Sequence, residues 1–291
     1  MPVVTQVLAE LQIHNWQEQA GGGWAEALEA GRVLFAPELN FELTAEERAF
    51  LTPECADGKA KNVSFRGATG VVHGARVQGA TRERLTKMMR RYAERSAKLM
   101  HRLLPEYGDR LTAGFTSFRP AEIAGRKVPW RKDDTRLHID AFPSRPMHGV
   151  RILRVFTNVH PQLPRLWRVG EPFQDVARRF AGQVRPQPAG VAWLLHRLHI
   201  TKTRRTPYDH LMLGIHDRMK ADEGYQRGCP STELWMPPGA TWACFTDAVP
   251  HAALAGQFAF EQTFYLPVEA MRDPERSPLR ILERLTGGAL A

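Results

Sequence analysis

From Leu111 onward the chain breaks into short runs of β-type residues divided by Pro, Gly and Asp: LTAGFTSFRP, TRLHIDAF, GVRILRVFTNV, ELWMPPGATWACFTD and AFEQTFYLP. Runs of this length with turn chemistry between them predict an antiparallel sandwich or barrel. Helical patterning interrupts the series over 171–227, with helices expected at Phe173–Phe180, Ala192–His199 and Tyr208–Met219; Pro278–Leu285 reads as a terminal helix. Ahead of the β runs, Thr5–Gln12 has a helical look and Asn40–Arg48 resembles a capped helix start. A longer helix follows Gly79 and Ala80. With Thr81 as its cap, Leu85, Met88, Met89, Tyr92, Ser96, Leu99, Met100 and Leu103 recur at helical spacing until Pro105. Its other face carries Arg82, Arg84, Lys87, Arg90, Arg91, Arg95, Lys98 and Arg102. That stripe is either a solvated face or a contact for anionic headgroups. One domain over 1–291 is expected: a mostly helical flank (1–110), a β core (111–267) with its helical insertion, and a C-terminal helix in 268–291.

Composition excludes several classes. With 43% hydrophobic and 24% charged residues, a chain of 291 can bury a substantial core and is not disordered throughout. Cys55, Cys229 and Cys244 are odd in number and lack paired spacing, which argues against a disulfide scaffold and for a reducing compartment. No stretch approaches the roughly 18 apolar residues of a membrane span. The start MPVVTQVLAELQ lacks the basic region and cleavage site of a signal peptide. A cytoplasmic location, free or peripheral on the cytosolic face of a membrane, is the expectation. Forty basic residues against 31 acidic ones give a net charge of +9, which favours nucleic acid, anionic lipid or a polyanionic small substrate. Charge alone does not choose among them.

The choice comes from His138-Ile139-Asp140. In a strand-like run, residues two apart share a face, with Cα atoms about 6.6–7 Å apart. An imidazole and a carboxylate so placed can grip one metal ion from one side. His251 is the best third ligand. It follows the expected hairpin Met236–Phe245, turned at Pro238-Gly239, and then Thr246–Pro250. Two His and one carboxylate form the facial triad of non-haem Fe(II) oxygenases, whose open positions take cosubstrate and O2. The offset of 113 positions from His138 to His251 is compatible with a double-stranded β-helix, a jelly-roll or cupin-like core flanked by helices, carrying an insertion between its halves. His196 and His199 read instead as capping, packing or exposed residues.

An oxygenase of this class binds 2-oxoglutarate at iron and pairs its distal carboxylate with a base. From Ala252 to Met271 there is no Lys or Arg, so the base must come from another strand. In GVRILRVFTNV, Ile152, Arg154, Phe156 and Asn158 share a face. A buried Arg there needs an anion, and its planar fork suits a carboxylate. Arg154 is therefore the first candidate and Arg151, facing the other way, the second. Gln262, Thr263 and Tyr265 on the last strand are candidates for neutral hydrogen bonds to the cosubstrate.

The run Leu153–Val159, Pro161, and Pro164-Arg165-Leu166-Trp167-Arg168-Val169-Gly170-Glu171-Pro172-Phe173 resembles the Fe(II)/2-oxoglutarate-dependent 3-deoxy-D-manno-oct-2-ulosonic acid (Kdo) 3-hydroxylases. HIDAFPSRP and FTDAVPHAA resemble that family's two metal-ligand segments, and the likeness runs from about Asn62 to Pro267. The resemblance implies hydroxylation at carbon 3 of a Kdo sugar in the lipopolysaccharide inner core. It implies Kdo-lipid A as substrate, on the cytosolic face of a Gram-negative inner membrane. Such a substrate is carboxylated and phosphorylated, so Arg119, Arg165 and Arg168 are candidate anion donors. Trp167 and Trp242 are candidates for shielding the metal or stacking on sugar. Two rival readings share the same residues: a nucleic-acid-directed 2-oxoglutarate dioxygenase, for which stacking aromatics beside a basic groove are not evident, and a non-catalytic cupin-like binder of anionic glycolipid. A nucleic-acid partner is not expected.

Overall fold

The computed structural model describes residues 7–18, 21–60 and 62–291. In chain order the strands are β1 (Leu8–Glu10), β2 (Val33–Ala36), β3 (Val63–Arg66), β4 (Val71–His73), β5 (Thr112–Arg119), β6 (Arg151–Asn158), β7 (Arg165–Val169), β8 (Thr232–Met236), β9 (Thr241–Phe245), β10 (His251–Ala255) and β11 (Ala259–Leu266). The α-helices are α1 (Trp24–Glu29), α2 (Ala45–Arg48), α3 (Gly79–Leu103), α4 (Phe173–Phe180), α5 (Val191–Arg197), α6 (Pro207–Ala221), α7 (Glu223–Gly228) and α8 (Pro278–Thr286). The strands form a large sheet, in the order β1-β2-β9-β6-β11-β5-β3-β4, and a small one, β10-β7-β8. Pairing is antiparallel except for β1 with β2.

Strand β11 shows how sequence alternation builds the site. Glu261, Thr263 and Tyr265 face a cavity between the sheets. Phe260 and Phe264 face the other way, into the core under α3. The α3 side chains expected to face inward are the ones buried. Among them, Tyr92 stacks on Phe260 with centroids 4.6 Å apart and meets the Thr157 hydroxyl at 3.2 Å. Each such fully buried apolar side chain stabilises the fold by about 1.5–3 kcal/mol, which holds this basic helix against the outer face of the large sheet.

Four local expectations need correction. The flank before residue 110 is not mostly helical: β1 and β2 extend the large sheet beyond β9, and β3 and β4 extend it beyond β5. Edge strands carry unpaired backbone groups, and these short additions cover them. Leu8–Glu10 is accordingly a strand, while Thr5 and Gln6 lie outside the described residues. TRLHIDAF makes only an isolated bridge, and RLWRV, which is not among the expected β runs, forms β7. Met236–Phe245 is not a paired hairpin, since β8 and β9 belong to different sheets. The Pro238-Gly239 corner carries the chain between them. Gly239 adopts φ 82°, which favours glycine, and Asn158 pins the corner by accepting from the Gly239 N–H (2.9 Å) and donating to Met236 O (3.1 Å).

Candidate metal centre

The two histidines meet through their backbones. His138 and His251 exchange both N–H···O bonds, at 3.0 and 2.9 Å, so the HxD segment lies along the free edge of β10. The Asp140 N–H donates to Thr246 O at 2.8 Å, fixing the carboxylate beside the two rings. One donor atom from each of His138, Asp140 and His251 lies within 4.8 Å of the others. The three residues predicted from spacing are thus brought together.

Their electrostatics suit a cation. Each His Nδ1 lies 2.8 Å from a carbonyl two residues earlier in the chain, Arg136 O or Val249 O. A carbonyl only accepts, so Nδ1 carries the hydrogen and Nε2 presents its lone pair. Burial, reinforced by His251, pushes His138 well below the usual imidazole value. Burial also lowers His251, although Asp140 opposes it. Both shifts favour the neutral ring, the form that ligates. Burial alone would raise Asp140, but Arg154 and His251 outweigh it and hold the carboxyl below its usual range. Asp140 Oδ2 is buried and accepts no hydrogen bond; Arg154 Nε is 3.1 Å away but poorly aligned, so that contact is electrostatic. A divalent ion would satisfy this oxygen and two imidazole lone pairs together, so the residues fit a metal. Trp167 lies flat against His251, centroids 5.2 Å apart and planes 16° apart, fixing the ring from behind.

The triad opens into a cavity of about 930 Å³ lined by strands of both sheets. Arg119, Arg154 and Arg165 all reach it, as do Trp167, Thr263 and Tyr265. Arg154 already meets two acids, Asp140 and Glu261, the latter at 3.2 Å from its Nη1. Arg119 pairs with Glu261 and stands 3.7 Å from Asp134. Arg165 differs. Its guanidinium makes one hydrogen bond, to Gly256 O at 3.2 Å, and no carboxylate pairs with it among the described residues. Burial, with Arg119 nearby, pushes it down to about 9, still cationic at neutral pH. Thr263 sits across β6 from Arg154, and the Tyr265 hydroxyl accepts from Arg145 at 2.7 Å.

Four predicted residues lie elsewhere. Gln262 points away from the cavity, bonded to Thr116 at 2.5 Å, because alternation on β11 gives the inner face to its neighbours. Arg168 turns outward between inward Trp167 and Val169 and donates to Gln226 O at 2.7 Å. Trp242 is one layer behind, stacked on Phe156 at 5.5 Å and edge-on to Trp167. Arg151 faces away from the cavity and, buried, pairs with Asp247. Residues not anticipated include Glu261, which bridges Arg119 and Arg154, and a face of α6. Leu213, His216, Asp217 and Lys220 all line the cavity, and their spacing of three and four is the helical signature that could have marked that face. His216 stands edge-on to His138 at 5.6 Å.

Two imidazoles and one carboxylate, set on one side of an open cavity between antiparallel sheets, define a mononuclear centre of the non-haem Fe(II) oxygenase type. A family model described as 3-deoxy-D-manno-oct-2-ulosonic acid (Kdo) hydroxylase matches residues 12–289. Among solved structures, the chain is similar to the Kdo hydroxylase KdoO, described as a non-heme Fe(II) alphaketoglutarate dependent dioxygenase. The cobalt(II) complex of that protein superposes with a TM-score of 0.94 at 43% identity, covering 98% of this chain and 97% of the other. Its complex with alphaketoglutarate and Fe(III) gives 0.93 at 42% identity over the same shares. No curated protein matches. The chain belongs to the Kdo hydroxylase family.

Proposed function

We propose that this chain is an Fe(II)- and 2-oxoglutarate-dependent hydroxylase that adds oxygen at carbon 3 of a Kdo sugar in Kdo-lipid A, with O2 as cosubstrate and succinate and CO2 as coproducts. One observation carries the reading: a facial triad inside an arginine-lined cavity, in a chain that matches Kdo hydroxylases almost end to end. The sheet order supports a double-stranded β-helix, with β5, β11, β6 and β9 as one wall and the HxD edge, β10, β7 and β8 as the other. The reading places the reaction in the cytoplasm, at the inner face of the membrane that holds the substrate.

Iron bound here would supply the redox chemistry that couples O2 and 2-oxoglutarate to C–H hydroxylation. The protein's part is positional. His138, Asp140 and His251 hold one side of the metal and leave the other open. Arg154 keeps Asp140 ionised, and Glu261, shared with Arg119, holds that guanidinium in place. Trp167 and Phe156 keep water from the inner wall. Rim cations, Arg131, Lys132 and Lys202 among them, meet the sugar carboxylate or lipid phosphate.

Arg165 is the better partner for the distal carboxylate of 2-oxoglutarate. A buried cation with no carboxylate in direct contact is costly until an anion arrives, and Arg154 is already engaged. Arg165→Ala should raise the KM for 2-oxoglutarate by roughly 30-fold or more, the size expected for truncating a buried charge pair, with metal affinity unchanged. Arg154→Ala should weaken metal binding as well, because it releases Asp140. A KM raised only in Arg154→Ala, with metal affinity intact, would return the role to Arg154.

The direct test is mass spectrometry of Kdo-lipid A after incubation with enzyme, Fe(II), 2-oxoglutarate and ascorbate. One added oxygen atom on the sugar is expected. Succinate release with no oxygen on the sugar would refute the substrate assignment.

A further inference from the structure

From Val176 to Tyr208 the sequence contains no acid and seven basic residues. In the middle of this stretch α5 projects from the surface. Trp193, Leu194, Leu198 and Ile200 are 56, 48, 58 and 53% exposed, four of the eight large hydrophobic side chains left exposed among the described residues. Scattered exposed apolar residues need no explanation, but four within eight positions form a patch that asks for an apolar neighbour.

The patch is built on a closed element. Gly190, at φ 81°, starts the helix, and His199, at φ 57°, ends it. The His199 N–H reaches His196 O and the Ile200 N–H reaches Leu195 O, both at 3.0 Å. These are the two bonds of a Schellman closure, here with a non-glycine in the left-handed position. The C-terminal end of the tip is therefore closed by its own backbone, which lowers the cost of bringing it into an apolar medium.

Its base is tied to the rim of the metal-centre cavity. The Lys202 N–H donates to Ser144 O at 2.9 Å, the Arg205 guanidinium donates to Pro143 O at 2.8 Å, and Lys202, Ser144 and Pro143 line the opening. The other basic feature, α3, packs against the opposite face of the large sheet. It uses Arg82, Arg91 and Arg102 on Val72 O, Glu47 and Trp16 O.

We propose that α5 and the turn through Ile200 insert into the surface of an anionic bilayer, with Arg197, Lys202, Arg204 and Arg205 against lipid phosphates, so that the cavity opens towards the membrane plane. An apolar tip collared by cations and free of acids is complementary to such a surface. The inference deepens the function proposed above and rests on its lipid-linked substrate for its purpose.

The test is flotation with vesicles of phosphatidylglycerol and phosphatidylcholine in equal parts. Wild-type enzyme should float with these, float less in about 0.5 M salt, and not float with phosphatidylcholine alone. Replacing Trp193, Leu194, Leu198 and Ile200 together by Ser should cut binding at least about tenfold, with an unchanged melting temperature. Lys87→Glu with Lys98→Glu on α3 should leave binding intact. Retained binding in the serine variant, or loss confined to the α3 variant, would overturn the assignment. Absence of flotation together with self-association that depends on Trp193 would also overturn it and make a second copy of the chain the partner. Activity separates the two proposals. The serine variant should hydroxylate detergent-dispersed Kdo-lipid A as wild type does but lose the vesicle-embedded substrate. If wild type adds no oxygen in either form, the substrate reading fails while the flotation result stands.

Discussion

Asp140→Ala is expected to abolish succinate formation, lowering turnover by more than about 100-fold. Changes to groups that merely orient metal ligands typically cost 10–100-fold in affinity or activity, so removal of a ligand should exceed that range. The geometry adds to the effect. Asp140 is the only carboxylate of the three-residue cluster, and its loss leaves two neutral imidazoles facing a dication with no charge to offset it. It also strips Arg154 of one of its two acidic partners, leaving Glu261. Titration with cobalt(II), followed by its absorption spectrum, should show the loss of affinity directly, and His138→Ala should behave alike. Wild-type succinate release from either variant would remove the triad from the mechanism.

The second large effect concerns stability. Arg151 and Asp247 are both almost wholly buried, joined by Nε–Oδ2 at 2.7 Å and Nη2–Oδ1 at 3.3 Å. Arg151 begins β6, and Asp247 lies in the loop that leads to His251, so the pair ties the ligand-bearing loop to the large sheet. The guanidinium also lies 4.1 Å above the Phe245 ring. Asp247→Ala leaves that cation buried with its fork empty. The expected cost is about 3–5 kcal/mol, a fall in melting temperature of roughly 10 °C for a chain of this size. The paired substitution Arg151→Met with Asp247→Leu should recover most of the loss, because two apolar groups leave no charge stranded. A loss in the double variant as large as in Asp247→Ala would assign the effect to packing instead of charge.

How far the sequence could be read depended on whether the determining interactions were local. The buried face of α3, the helices of the insertion and the strands β5, β6 and β11 follow from periodicity, which each segment carries within itself. The triad was legible because His138 and Asp140 sit two apart and His251 follows a distinctive aromatic strand. Pairing between strands was not legible. The split of β8 and β9 between two sheets depends on Asn158, some eighty residues earlier in the chain, holding the corner. The short strands before residue 110 have too few residues to show a period and exist because the large sheet has edges to cover. The surroundings of the cavity arginines were not legible for the same reason. Arg154 and Arg165 look alike in sequence, and it is the folded chain that sets Asp140 and Glu261 against Arg154 and neither against Arg165.

The reciprocal backbone bonds between His138 and His251 carry a further consequence for how the molecule assembles. Ligands contributed by opposing, sequence-distant segments cannot gather in an unfolded chain, so the complete donor set arises only when the two walls have closed. Any ion captured there acts as a thermodynamic rivet between the halves, and its binding free energy adds to the work of pulling them apart. Saturating cobalt(II) should therefore raise the melting temperature of the wild-type enzyme and leave that of Asp140→Ala where it was.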